Sequence, residues 1–195
     1  MDVSKPISSV IPSLDGPVLG ALAGTTMPLN LTEVHRLAGE GSLSGVRRVL
    51  VRLVGTGLVN EVPGGYVLNR DHVAAPVAEA LTRLWGECID RIRSAIRAWP
   101  ESPRLVGVYG SAARRDGDED SDIDLLVVCD HVGVAERGAD LADAVQRWTG
   151  NPVHVVMLTS ADLRRIRRAR ERVLEEWDRD LVVIEGSHDV LWAEG

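Results

Sequence analysis

Apolar residues recur every three to four positions along much of the first hundred residues, which is the spacing of helices with one buried face. The pattern predicts a helix over 14–23, a second helix that begins after Asn30, and a third over 43–54. Asn30 and Glu33 stand at the spacing of a capping box, in which each side chain bonds the backbone N–H of the other residue. We therefore expect three short helices in this region.

After the third helix, the spacing of apolar residues changes from the helical repeat to the two-residue repeat of β-strands. Two short β-rich runs, Leu58–Val62 and Tyr66–Leu68, flank Pro63-Gly64-Gly65, which is a hairpin signal. Three helices followed by a hairpin within residues 10–70 form the layout of a winged helix-turn-helix. In layout alone, this module resembles MarR- and ArsR-like bacterial regulators.

Beyond residue 70 the chain predicts one long helix and then alternating strands and helices. A connecting helix is expected over 71–99, ending at Trp99-Pro100, and a second domain over 100–195. The fold class predicted for the second domain is α+β or α/β, a small mixed sheet with flanking helices. Its expected strands are Leu105–Tyr109, Ile123–Cys129, Val153–Leu158 and Leu181–Ile184, with helices over 133–148 and over 160–177, the latter capped by Ser160.

Charge is divided unevenly over the 195 residues. The net charge is −7, but residues 1–70 hold six Lys and Arg against five Asp and Glu. The acidic remainder argues against wholesale wrapping of nucleic acid and suits a site that attracts divalent cations. Cys88 and Cys129 lack metal-ligand or redox spacing, and no apolar run is long enough to span a bilayer. We therefore expect a cytoplasmic protein without a membrane partner.

The segment with the strongest chemical signal lies between the first two strands of the second domain. A predicted buried strand ends at Gly110-Ser111, where the missing Cβ lets backbone amides and a hydroxyl approach phosphate oxygens. After a gap of ten residues, Asp122 and Asp124 stand two apart at the next strand, so both carboxylates lie on one face. Two adjacent carboxylates repel each other unless a cation lies between them, and Mg²⁺ prefers such oxygen ligands.

Gly110-Ser111, the ten-residue gap, the Asp122-x-Asp124 pair and the flanking apolar strands resemble the hallmark of the DNA polymerase beta-type nucleotidyltransferase superfamily. The likeness is greatest to its small, minimal nucleotidyltransferases and covers roughly residues 80–185. It implies that Gly110 and Ser111 hold a nucleoside triphosphate, that Asp122 and Asp124 bind Mg²⁺ or Mn²⁺ and are catalytic, and that an acceptor hydroxyl attacks the α-phosphate. Arg114, in the loop after Gly-Ser, is a further candidate ligand of the triphosphate.

One position departs from that family. A third carboxylate usually stands on a later strand, whereas the matching strand here, Val153–Leu158, carries His154. His154 is a candidate third-site residue, either as a base or simply as a hydrogen-bonded strand residue. Asp162, at the start of the next helix, can approach the site or serve its own helix.

The amino-terminal module has its own candidate surface. On the third helix, the side chains away from the apolar face that can contact DNA are Ser44, Arg47, Arg48 and Arg52. Dimerisation or binding of a protein partner is the alternative use of such a module. The arginine-rich stretch 164–170 is interpreted as a solvated helix face, or as a backbone track if the acceptor is a polynucleotide.

Two functions follow as hypotheses. The first is a metal-dependent nucleotidyltransferase that moves a nucleoside monophosphate from ATP or another NTP to an unknown hydroxyl, with a module that binds double-stranded DNA. The second is a DNA-binding regulator, or a toxin–antitoxin component, whose nucleotidyltransferase-like domain binds a nucleotide or partner without turnover. Reading a palindrome would require a homodimer.

Overall fold

The computed structural model describes residues 1–131 and 134–193, which form two compact units of mixed α and β structure. One unit spans Lys5–Trp85, and the other combines Met1–Ser4 with Gly86–Gly195. The boundary falls at the start of α5, inside the segment predicted as a connecting helix. The helices are α1 (Asp15–Ala23), α2 (Leu31–Ala38), α3 (Leu43–Gly55), α4 (Ala75–Thr82), α5 (Leu84–Arg97), α6 (Gly110–Arg114), α7 (Val134–Thr149), α8 (Ser160–Ala169) and α9 (Arg172–Asp180).

The described residues also form six strands. They are β1 (Val59–Val62), β2 (Gly65–Leu68), β3 (Leu105–Tyr109), β4 (Ile123–Val128), β5 (Val153–Leu158) and β6 (Val182–Gly186). Among the described residues, none of the helices combines the length and apolar character that a bilayer crossing requires.

The Lys5–Trp85 unit contains the three predicted helices and the predicted hairpin. The expected capping box is present, since Asn30 accepts from the Glu33 amide at 3.0 Å and Glu33 accepts from the Asn30 amide at 2.7 Å. β1 and β2 pair antiparallel, and Leu29 adds a bridge to Tyr66 at the hairpin's edge. The side chains that the helices and hairpin bury together include Val18, Leu22, Val34, Val46, Leu50, Leu53, Val59 and Leu68.

The prediction of one continuous helix over 71–99 is wrong, because α4 and α5 are separate. The chain leaves the helical path at Arg83, whose amide donates to the carbonyl of Ala80, three residues back rather than four. The Thr82 hydroxyl also donates to the Glu79 carbonyl at 2.8 Å. Such local bonds tighten and end a helix, and apolar periodicity does not reveal them.

The second unit contains a four-stranded mixed sheet in the order β5-β4-β3-β6. β3 pairs antiparallel with both β4 and β6, while β4 pairs parallel with β5. On one face, α8 and α9 cover β3 and β4 in a shared core that contains Leu105, Leu126, Val128, Leu163, Ile166, Leu174 and Trp177. The predicted strands are therefore confirmed, with boundaries shifted by a residue or two.

The helix predicted over 160–177 is also two helices. Arg170 takes a left-handed conformation (φ 53°) after α8, and α9 starts two residues later. Thr159, not Ser160, caps α8, because its hydroxyl accepts from the Asp162 amide at 3.1 Å. Ser160 instead donates its hydroxyl hydrogen to Asp130 at 2.6 Å.

Candidate functional site

Three side chains form a row at the end of the sheet where β3 ends and where β4 and β5 begin. Tyr109 of β3 lies opposite Asp124 of β4, and Asp124 lies opposite His154 of β5. Residues in register on adjacent strands point to the same face, so this row lies on the face that α8 and α9 cover. The sheet thus brings together Asp124 and His154, which are thirty residues apart in the chain.

Gly110 follows Tyr109 and turns the chain out of β3. Its φ of +70° lies in the left-handed region that favours glycine. A Cβ at this position would come within 2.8 Å of the Asp124 Oδ2 atom. The backbone of Gly110 therefore packs closely against the Asp124 carboxylate.

Asp122 and Asp124 lie close enough to influence each other. Burial raises the pKa of Asp124 above its ordinary value, the nearby His154 lowers it, and the negative charge of Asp122 raises it further. Asp122, just before β4, retains 45% of its side-chain exposure, and its Oδ2 lies 3.1 Å from the His154 Nε2. The paired acids are thus accessible and electrostatically unfavourable without a nearby positive charge.

The chemistry of these donors fits one divalent cation held jointly with a substrate. Two carboxylates on one face supply hard oxygen ligands, and a cation would relieve the cost that burial and repulsion impose on Asp124. Among the described residues, no group of three or more His, Cys, Asp and Glu side chains is arranged to hold a metal. Water and phosphate oxygens commonly supply the other ligands of protein-bound Mg²⁺, and they would do so for a cation held by these two acids.

The loop between α6 and β4 packs closely around Ser111. A Cβ on Gly117 would lie 2.9 Å from the Ser111 hydroxyl oxygen. The buried Asn151 amide holds the end of this loop, donating to the carbonyls of Glu119 at 3.2 Å and Ser121 at 3.0 Å. Sequence reasoning missed Asn151, because nothing in the local pattern shows which distant carbonyls its amide bonds.

Arg114, the last residue of α6, is engaged by two carboxylates. Its Nε donates to Asp116 and its Nη1 donates to Asp180, both at 2.9 Å. Asp180 ends α9 and retains only 7% of its side-chain exposure. The hydrogen bonds from Arg179 and Arg114 lower the pKa of Asp180 to about 2. The sequence analysis singled out Arg114 but missed Asp180, its partner 66 residues later.

Trp177 of α9 packs against the residue immediately before Gly110. Its ring meets Tyr109 edge-on, with a centroid separation of 6.0 Å and an interplanar angle of 76°. Burial and the Asp124 carboxylate raise the pKa of the Tyr109 phenol. The sequence analysis did not single out this pair, since Tyr109 ends a strand and Trp177 lies in a helix whose apolar positions also serve the core.

Asp162 does not join the acid pair. Its Oδ2 accepts from the Thr159 amide at 3.0 Å, and its Oδ1 accepts from Arg165 at 3.0 Å. The hydrogen bond that the Thr159 hydroxyl donates to Oδ2, together with the bond from the Thr159 amide and the charge of Arg165, lowers the pKa of Asp162. Of the two interpretations drawn from the sequence, Asp162 follows the one in which it serves its own helix.

The predicted DNA-facing residues lie on the outer side of α3 in the Lys5–Trp85 unit. A shallow groove of about 610 Å³ is lined by Ser44, Arg47, Arg48 and Val51. Val51 is 62% exposed. Arg52 lies outside this lining and forms an ion pair with Asp15, whereas no described residue forms an ion pair with Arg47 or Arg48.

Comparison with known proteins gives one family match, over part of the chain. Residues 94–184 match the model of the family described as Polymerase beta, Nucleotidyltransferase. No curated protein sequence is significantly similar to the chain. Among solved structures, a crystal structure described as the toxin–antitoxin with AMP-PNP aligns with a TM-score of 0.41 and 16% identity, over 53% of this chain and 77% of that chain. Residues 94–184 are thus similar to the polymerase beta nucleotidyltransferase family.

Proposed function

We propose that the protein is a metal-dependent nucleotidyltransferase that moves a nucleoside monophosphate from an NTP, with ATP the first candidate, to a hydroxyl acceptor. The contact between the Gly110 turn and the Asp124 carboxylate carries this proposal. It places the Gly110 backbone, whose missing side chain lets a phosphate approach, next to two acids suited to a divalent cation. The family match over residues 94–184 supports the same chemistry.

In this reaction the acceptor oxygen bonds to the α-phosphorus, and the bond from that phosphorus to the oxygen bridging to the β-phosphate breaks. Pyrophosphate leaves, and the acceptor proton passes to water or to an adjacent base. Gly110 and Ser111 bind the phosphate chain, while Asp122 and Asp124 hold the cation. Bound Mg²⁺ or Mn²⁺ supplies the positive charge that stabilises the attacking and leaving oxygens.

Transfer of label from α-³²P-labelled NTPs, with pyrophosphate release measured in parallel, tests this proposal. The protein is incubated with Mg²⁺ and with RNA, protein and small hydroxyl acceptors in separate reactions. Asp122→Asn and Asp124→Asn should each abolish transfer, whereas Asp143→Asn, an exposed acid of α7, should not. Transfer that persists in both site variants would exclude the acid pair as the catalytic centre.

We also propose that residues 10–70 form a winged helix-turn-helix that binds double-stranded DNA through α3. Arg47 and Arg48 are exposed on this helix, while other bases of the unit are neutralised within it: Arg52 by Asp15, Arg70 by Glu79 and Lys5 by Glu40. The net charge of the module therefore understates the positive charge of the α3 face. The two guanidinium groups are suited to phosphates and guanine edges, and the exposed Val51 beside them is suited to thymine methyl groups.

A regulator that binds DNA and nucleotide without turnover is the second candidate function. Arg47 and Arg48 of α3, which form an ion pair with no residue that the structure describes, favour it. Mobility shifts on double-stranded fragments, run beside the transfer assay, separate the candidates. A protein that shifts DNA and binds NTP but releases no pyrophosphate with any acceptor is a regulator. A protein that transfers nucleotides is an enzyme, whether or not it also shifts DNA. Sedimentation with and without DNA tests for the homodimer that a palindromic site requires.

A further inference from the structure

Helix α9 contacts the Gly110–Arg114 segment at both ends of that segment. Trp177 packs against Tyr109, the residue immediately before Gly110. One helical turn later, Asp180 accepts a hydrogen bond from Arg114, the residue that closes α6. The five residues Gly110–Arg114 therefore lie between two contacts made by one helix.

Asp180 is built to remain charged in a nearly closed environment. Oδ1 accepts from the Arg179 Nε at 2.7 Å, and Oδ2 accepts from the Arg179 Nη2 at 3.0 Å and from the Arg114 Nη1 at 2.9 Å. A carboxylate with 7% exposure is costly unless charged donors surround it. Removing its charge would leave the guanidinium of Arg114 without its buried partner.

Arg114 has little freedom to reach a ligand while these bonds hold. The Arg114 Nε binds Asp116 and the Nη1 binds Asp180, so the guanidinium group is directed at two carboxylates of the protein itself. Asp116 is an exposed acid two residues along the chain, whereas Asp180 belongs to a packed helix. The bond to Asp180 can therefore fix the position of α6, because it ties Arg114 to a helix that is itself packed in place.

We propose that Asp180 is a positioning residue for triphosphate binding, acting through Arg114 to hold the Gly110-Ser111 turn against Asp124. Arg114 thereby serves as an anchor of the turn. This inference rests on the proposed function for its ligand, but its geometric part concerns the free protein. It differs from the sequence-based expectation that Arg114 itself contacts the triphosphate.

Hydrogen–deuterium exchange on the full-length free protein tests the geometric part. Asp180→Asn should raise the exchange rate of the backbone amides over 110–114, and Arg114→Gln should do the same. Asp116→Asn is the matched control, since it removes the exposed partner of the same guanidinium, and it should leave that exchange unchanged. Unaltered exchange over 110–114 in both Asp180→Asn and Arg114→Gln overturns the proposal, whatever the nucleotide measurements give.

Calorimetric titration with a non-hydrolysable ATP analogue and with AMP, both with Mg²⁺, tests the consequence for binding. Asp180→Asn should weaken the triphosphate about tenfold, as the loss of one charge-assisted anchor would, and leave AMP binding almost unchanged. If Arg114 contacts phosphate directly, releasing it from Asp180 should keep or increase triphosphate affinity, which overturns the proposal. Wild-type protein that binds neither nucleotide, with the expected exchange result, overturns the proposed function and leaves the anchoring of the turn established.

Discussion

A methyl group on Gly110 would lie 2.8 Å from the Asp124 Oδ2 atom, closer than any side-chain carbon approaches an oxygen in an unstrained protein. Gly110→Ala should therefore displace either the turn or the carboxylate. We expect NMP transfer to fall about a hundredfold, the loss typical of misplacing reacting groups by an ångström. The measurement is label transfer at saturating NTP.

Gly150→Ala provides the control for backbone strain alone. Gly150 also has a positive φ, of 80°, but nothing lies within 4 Å of its Cβ position. Both variants should lose about 1 kcal/mol of stability to the left-handed conformation, and only Gly110→Ala should lose transfer. Equal activity in the two variants would show that the contact with Asp124 is unimportant.

Asp124→Asn should stabilise the protein against unfolding when divalent cations are absent. The pKa of Asp124 is raised in the folded state, so ionisation disfavours folding at pH above the ordinary range of Asp and has no effect well below it. The stabilisation should thus appear as pH rises through and above that range. Thermal unfolding in EDTA across pH 3–8 (roughly the span of the carboxylate titration) checks it. A variant that is less stable than wild type at neutral pH would contradict the assignment.

His154→Asp should increase the affinity of the site for Mg²⁺. The β4–β5 register places position 154 beside Asp124, and a carboxylate there adds an oxygen ligand where imidazole offers nitrogen. We expect a larger rise in melting temperature on titration with Mg²⁺ than wild type shows, together with a lower melting temperature in EDTA from the added repulsion. His154→Asn, which adds no charge, should show neither change.

Arg47→Ala and Arg48→Ala should each weaken DNA binding and reduce its salt dependence. Each lost phosphate contact makes the slope of log K against log salt less negative by about 0.9. Arg52→Ala should have a smaller effect, because Asp15 already pairs with Arg52. Fluorescence anisotropy on a duplex at several salt concentrations measures all three. An unchanged slope in the first two variants would contradict phosphate contacts by Arg47 and Arg48 and would favour a protein partner for α3.

Local patterns predicted most of this fold, because the signals that define its elements lie within a few residues. The Asn30–Glu33 capping box and the apolar β3 and β4 strands are of this kind. The breaks at Arg83 and Arg170 were missed because apolar spacing continues through both of them. No periodic signal reports a three-residue backbone bond or a single left-handed residue.

The candidate site was predictable where its residues are close in sequence, and obscure where they are not. Gly110, Ser111, Asp122 and Asp124 belong to one motif, and the register of β5 placed His154 beside them. Asp180 and Asn151 act through bonds to residues 30 or more positions away. Such partners follow only from the folded arrangement of helices and strands.

The order of strands in the sheet bears on the unusual histidine. The carboxylate pair stands at the start of β4 and the glycine turn follows β3, and each of these strands is paired on both sides. Within the described chain, β5 pairs with β4 alone. The architecture therefore holds the Gly110 turn and Asp124 on strands with two neighbours, but leaves position 154 on a strand with one described neighbour. A substitution at position 154 alters the candidate third-site residue of the proposed reaction while leaving the pairing of β3 with β4 intact.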